Sequence, residues 1–211
     1  METFVTTSEK IQHIIKGFNL TKTLYVSSII IGEAHTGKKS LARYLFPNAI
    51  LVSGLDQKEV ESALENHDEL IITDFEKLSN QSTLDFSNKR IIATANYMGN
   101  PALIDELFAF IYSMPSLQER PEDVNYLKDL YIKEALSTLM IENNTFESDE
   151  IPLNLSKNSK SLKKSVFLHL VKHSMDDKDI KGILYHYLLK HLDGNDGYRE
   201  HLGLYEIPLI E

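Results

Sequence analysis

The sequence predicts an α/β fold, with a five-stranded, mostly parallel sheet followed by a small helical lid and C-terminal helices. Three observations lead there. Short apolar runs alternate with segments of helical period across residues 24–114, as in a parallel sheet covered on both faces. A glycine-bounded loop, GEAHTGK at residues 32–38, joins the first apolar run to the helix after it. Beyond Glu122 the strand-like runs stop, and apolar positions recur only at helical spacing.

Residues 24–31 (LYVSSIII) read as a buried strand, and residues 38–46 as its following helix. Residues 49–53 (AILVS) form a second strand. A helix follows over Gln57–Asn66, with Asp56 as N-cap and Val60, Ala63 and Leu64 on one face. Residues 69–74 (ELIITD), Arg90–Ala95 (RIIATA) and 109–114 (AFIYSM) supply the remaining strands. Pro115 and Pro121 then punctuate the chain, and residues 122–143 carry Val124, Leu127, Leu130, Tyr131, Ala135 and Leu139 at helical period. A polar loop leads to two or three further helices.

Composition narrows the function classes. Hydrophobic residues make up 42% and charged residues 25% of the 211, an ordinary globular balance. With no cysteine, a disulfide framework and a thiolate metal site are both excluded. The net charge of −9 lowers the expectation of nucleic-acid binding, which normally needs a basic surface. The start METFVTTSEK lacks the basic and apolar regions of a secretory signal, and no apolar run is long enough to span a bilayer. A cytoplasmic location and no membrane partner are therefore expected. His169 and His173 are one helical turn apart but lack the companion glutamate of a metalloprotease helix, and are read as lid or surface residues.

The loop carries the chemistry. A strand, then G-x-x-x-x-G-K, then a helix is the setting in which backbone amides curl around a phosphate. Gly32, Glu33, Ala34, His35, Thr36, Gly37, Lys38 and Lys39 form the expected binding segment. Lys38 would reach the β- and γ-phosphates, and the next helix presents its positive end to them. Lys39 stands where a Ser or Thr usually holds Mg²⁺, with Ser40 one place later.

Several segments beyond this loop resemble one family. GEAHTGKK at residues 32–39 is similar to GESGTGKE, RIIATAN at 90–96 to RIIAATN, and SMPSLQERPEDV at 113–124 to LPPLRERPEDI. FVTTSEKIQHIIKGF near the start resembles the same family's first helix. Together these resemble the AAA+ domain of bacterial sigma-54 activators, the NtrC-like enhancer-binding proteins, over the chain up to about residue 140. The resemblance implies ATP or ADP as ligand, with Mg²⁺ held through Asp74, and a role in transcriptional regulation. It also implies a nucleotide-sensing Asn96 and, through KNSKSLKK at 157–164, Lys160 where the family has a sensing arginine. The implied division is a nucleotide-binding domain over 1–120, a helical lid over 121–175 and a C-terminal helical segment over 176–211.

The departures shape the expected function. Between Lys38 and Asp74 only one strand and one helix fit, so the family's GAFTGA loop, which touches the sigma factor, is missing. The family's Asp-Glu pair reads Asp74-Phe75, which puts Phe75 in the place of the catalytic carboxylate; Glu76 substitutes only if the strand end shifts by one residue. The positions of the family's finger arginines read Ile104 and Phe110, so the charge that such fingers supply is lacking. The end, residues 193–209, has the cadence of a Fis-like helix-turn-helix, but Glu206 and Pro208 replace basic and polar readers. The lysines Lys157, Lys160, Lys163, Lys164 and Lys172 could meet phosphates or simply form a solvated lid face. The reading is a nucleotide-binding regulatory protein, poor at hydrolysis, acting through a protein partner and open to oligomerisation. The alternatives are a slow ATPase using Glu76 and an interaction protein with an empty pocket.

Overall fold

The computed structural model describes residues 4–140, 151–174 and 182. The segment 176–211, apart from Gly182, lies outside these residues, and with it the helix-turn-helix cadence; so do most of the polar loop and the His173 side chain. The chain divides into two compact units, Met1–Asp123 and Val124–Glu211.

In the first unit the order is α1 (Glu9–Leu20), β1 (Ser28–Ile31), α2 (Lys38–Leu45), β2 (Ile50–Ser53), α3 (Gln57–Asn66), β3 (Glu69–Thr73), β4 (Arg90–Ala95), α4 (Pro101–Leu107) and β5 (Phe110–Ser113). The five strands form one sheet in the order β2-β3-β4-β1-β5, and every pair is parallel. Strand alternation sorts the core into two layers. Ile29, Leu70, Ile72, Ile91 and Ala93 face α3 and α4, meeting Val60, Leu64 and Ile104. Ile30, Ile71 and Ile92 face the other way, onto Ile11, Ile14 and Phe18 of α1 and Leu41 of α2. The Asp56 carboxylate accepts from the Glu59 amide at 3.0 Å, capping α3 as its sequence predicts.

Several element boundaries differ from expectation. β1 begins at Ser28, not Leu24, where it pairs with Ile92 of β4 and Phe110 of β5. Leu24 and Tyr25 are 50% and 63% exposed, so this apolar run overshoots the strand. β3 ends at Thr73, and Asp74 leaves it in the left-handed region (φ 53°, ψ 41°). The fifth strand is trimmed to Phe110–Ser113.

The second unit contains most of α5 (Pro121–Leu139) and α6 (Asn158–Ser174). Ala135, Ile151, Val166, Phe167, Leu170 and Val171 make its core, with Tyr131 and Leu139 against it. The described part of α5 stops at Leu139, and Met140 takes φ 54°, the left-handed turn that ends many helices. Lys163 of the basic cluster pairs with Glu134 at 2.7 Å and lies over the Tyr131 and Phe167 rings. That use is structural. Lys160 sits on the same helix, in this second unit. Among the described residues no helix is long and apolar enough to cross a membrane.

Candidate phosphate-binding site

In a parallel sheet the loops at the carboxyl ends of the strands gather on one side, and a crevice opens where neighbouring connections leave to opposite faces. Here that place lies between β1 and β4. The connection after β1 runs to α2 on one face, and the connection after β4 runs to α4 on the other. The 32–38 loop and Asn96 both start at this crevice.

Two glycines shape the loop for different reasons. A Cβ on Gly32 would lie 2.5 Å from the Met114 carbonyl oxygen, so the chain leaves β1 too close to the end of β5 for any side chain. Gly37 takes φ 97°, a conformation that L side chains rarely adopt, and directly precedes α2. His35 also has positive φ (61°). The Thr36 hydroxyl donates to the Glu33 carbonyl at 2.9 Å and closes the loop on itself. The first turn of α2 carries no acid, so its positive end is not neutralised locally.

Lys38 is the centre of the site. It is 7% exposed, and its ammonium donates to the carbonyls of Gly32 (2.7 Å) and Glu33 (2.6 Å) and to Asn96 Oδ1 (3.1 Å). Burial lowers its pKa from 10.5 to about 8, against the opposing pull of Glu76, Asp74 and Glu33. Asn96 bridges onward, donating from Nδ2 to Glu76 Oε1 at 2.7 Å. Glu76 Oε2 is buried and has no hydrogen-bond partner. An ammonium, an amide and two carboxylates are thus drawn together from β1–α2, β4 and the turn after β3.

The turn after β3 corrects the expected place of Phe75. With Asp74 left-handed, the chain enters a short 3₁₀ turn over Phe75–Lys77. This turns Phe75 into the core, 1% exposed, with its ring 5.1 Å from that of Phe108 in an edge-on contact. Glu76, one position later, reaches Asn96 instead. Gly54 makes room for this turn, since a Cβ there would sit 2.3 Å from the Asp74 carbonyl oxygen.

The other expected residues are distributed as follows. Glu33, Ala34, His35 and Lys39 are exposed around the loop, while Thr36 is buried. Ile104 is buried in the core and Phe110 lies on the edge strand, so neither offers a cation. Among the described residues no three His, Asp or Glu side chains cluster as a metal site of their own. Sequence reasoning missed Arg120. This buried residue, just before α5, donates to the Thr36 carbonyl in the loop and pairs with Asp123 at 3.2 Å. The sequence signals were its place in the family-like segment SMPSLQERPEDV and the Arg-x-x-Asp spacing ahead of a helix.

No protein-family model and no curated protein matches the sequence. Solved structures do. NtrX from Brucella abortus in complex with ATP is similar at TM-score 0.64 and 16% identity, covering 97% of this chain and 60% of that one. The same protein in complex with ADP matches at TM-score 0.64 and 16% identity, over 83% and 52% of the two chains. A point variant of RuvB from Thermotoga maritima matches at TM-score 0.55 and 16% identity, over 94% and 74%. The chain therefore spans only 52–60% of the length of these NtrX structures. At such identities the likeness concerns architecture, and on that ground the chain has the α/β fold of P-loop AAA+ domains.

Proposed function

We propose that this protein binds ATP or ADP, with Mg²⁺, in the 32–38 loop and acts as a nucleotide-dependent regulatory module. The observation that carries the reading is the Lys38 ammonium, held in the loop's mouth beside Asp74, Glu76 and Asn96. The residues fit a triphosphate. Lys38 and the start of α2 answer its charge, Gly32 and Gly37 keep side chains out of the loop, and Asp74 is the carboxylate for the metal. Lys39 is assigned a secondary phosphate contact, and Lys160 the sensing role that the resemblance implies. The likeness to NtrX structures solved with ADP and ATP supports the same ligand class. Regulation of transcription through a protein partner follows from the sigma-54 activator motifs, without the GAFTGA contact. The net charge of −9 argues against nucleic acid as the main partner.

Deficient hydrolysis belongs to this reading. Ile104 and Phe110 supply no charge to a neighbouring subunit's phosphates, and an absent finger costs about 10³–10⁵ in rate. One observation favours a second reading, a slow ATPase. Glu76 is held by Asn96 and keeps a buried free oxygen, as a carboxylate that orients water requires. Phosphate release separates the two. The first reading expects wild type and Glu76→Gln to release phosphate alike, at the rate of Lys38→Ala; release that needs Glu76 establishes the second.

Titration with a fluorescent ATP analogue tests binding itself, and saturable binding that strengthens with Mg²⁺ is expected. Its pH dependence follows from Lys38. The ammonium is the form that attracts phosphate, so affinity is full below pH 8 and falls as pH rises through about 8. Between pH 7 and pH 9 the loss should reach about tenfold. Folding runs the opposite way. Between about 8 and 10.5 the unfolded chain holds a proton that the folded one has released, so Lys38's contribution to stability rises with pH there. Flat affinity from pH 7 to 9 would remove Lys38 from the phosphate site.

A further inference from the structure

We infer that Arg120 is a positioning residue of the phosphate loop, which turns the Thr36–Gly37 peptide so that the Gly37 amide faces the bound anion. This deepens the nucleotide-binding reading and rests on it. Arg120 is 3% exposed, and its Nη2 donates to the Thr36 carbonyl from 84 residues further along the chain. Its Nη1 donates to Asp123 Oδ2 at 3.2 Å, in a pair whose side chains are almost wholly buried. Asp123 is itself anchored. It accepts from the Thr6 hydroxyl at 2.8 and 3.0 Å and from the Thr7 amide at 2.9 Å.

The geometry of a peptide unit turns this grip into a function. In a trans peptide the carbonyl and the following N–H point in opposite directions, and the described chain has no cis bonds. With the Thr36 oxygen drawn toward the buried guanidinium, the Gly37 N–H is directed away from it, toward the open side of the loop. The positive φ of Gly37 permits this orientation. Thr36 cannot drift, because its hydroxyl is bonded to Glu33 and its side chain is buried. A cation on the carbonyl also polarises the peptide and strengthens its N–H as a donor. A buried ion pair is weak as a source of stability. As a planar fork between a fixed carboxylate and a loop carbonyl, the guanidinium has a defined geometric effect, one that lysine cannot reproduce.

The test compares wild type, Arg120→Lys and the double variant Arg120→Gln/Asp123→Asn, which leaves no charge buried alone. A fluorescent ATP analogue is displaced from the full chain by tripolyphosphate and by adenosine. Tripolyphosphate should weaken about tenfold in both variants, while adenosine stays within about twofold. The Gly37 amide resonance of the nucleotide-free protein should move further than any amide outside the loop. Equal weakening of both competitors, or of neither, overturns the role. If wild type binds no nucleotide, the binding reading falls by itself, and the Gly37 resonance still decides: unmoved, it overturns the role of Arg120.

Discussion

Replacing Lys38 by alanine is expected to weaken ATP binding by about a hundredfold. Two losses combine. The first is a charge-assisted hydrogen bond from a buried ammonium to phosphate, worth about 1.5–3 kcal/mol. The second is electrostatic. Lys38 is the cation facing Glu76, Asp74 and Glu33, and without it their field meets a polyanion uncompensated. Removing the side chain also frees Asn96 Oδ1 and the carbonyls of Gly32 and Glu33. Titration of wild type and variant with the same fluorescent analogue, with folding checked by circular dichroism, measures the effect. An affinity changed less than about threefold would place the nucleotide elsewhere.

Phe75→Ala should have the largest effect on stability, a loss of about 3–5 kcal/mol. The ring is 1% exposed and packs against both Phe86 and Phe108, with centroids at 6.3 and 5.1 Å. Truncation leaves a cavity under the short turn that Phe75 begins. The midpoint of thermal unfolding should fall by about 10 °C. Because the same turn aims Glu76 at Asn96, the variant should also lose that contact. Phe75→Leu, which keeps much of the volume, should cost about 1.5 kcal/mol or less. Equal losses for alanine and leucine would show that the ring does not anchor the turn.

The parts of this fold that were readable in sequence are those set by local chemistry. Arg90–Ala95 alternates between the two faces of the sheet, and Asp56 caps α3, so both elements appear at their expected bounds. The loop was legible for the same reason, since glycines at both ends and a lysine before a helix leave few alternatives. Longer-range events were not. Residues 24–27 continue the apolar run of the strand they precede, yet Leu24 and Tyr25 are exposed and lie outside it. Asp74 in the left-handed region is an exception that residue identity alone does not announce, and with it Phe75 is buried in the core and Glu76 reaches Asn96. The start of α4 carries a local signal of the same kind as that of α3, Asn100 as cap and Pro101 in its first turn. Arg120 touches a loop 84 positions away, a contact that no spacing rule yields.

Amide hydrogen exchange, followed by peptide with and without Mg²⁺ and ATP, tests the central claim most directly. The account predicts slowed exchange concentrated in the peptide covering residues 32–40, accompanied by the turn around Asp74 and Glu76, and lost in Lys38→Ala. Unchanged exchange in that peptide at saturating nucleotide, or protection confined to other segments, would contradict it.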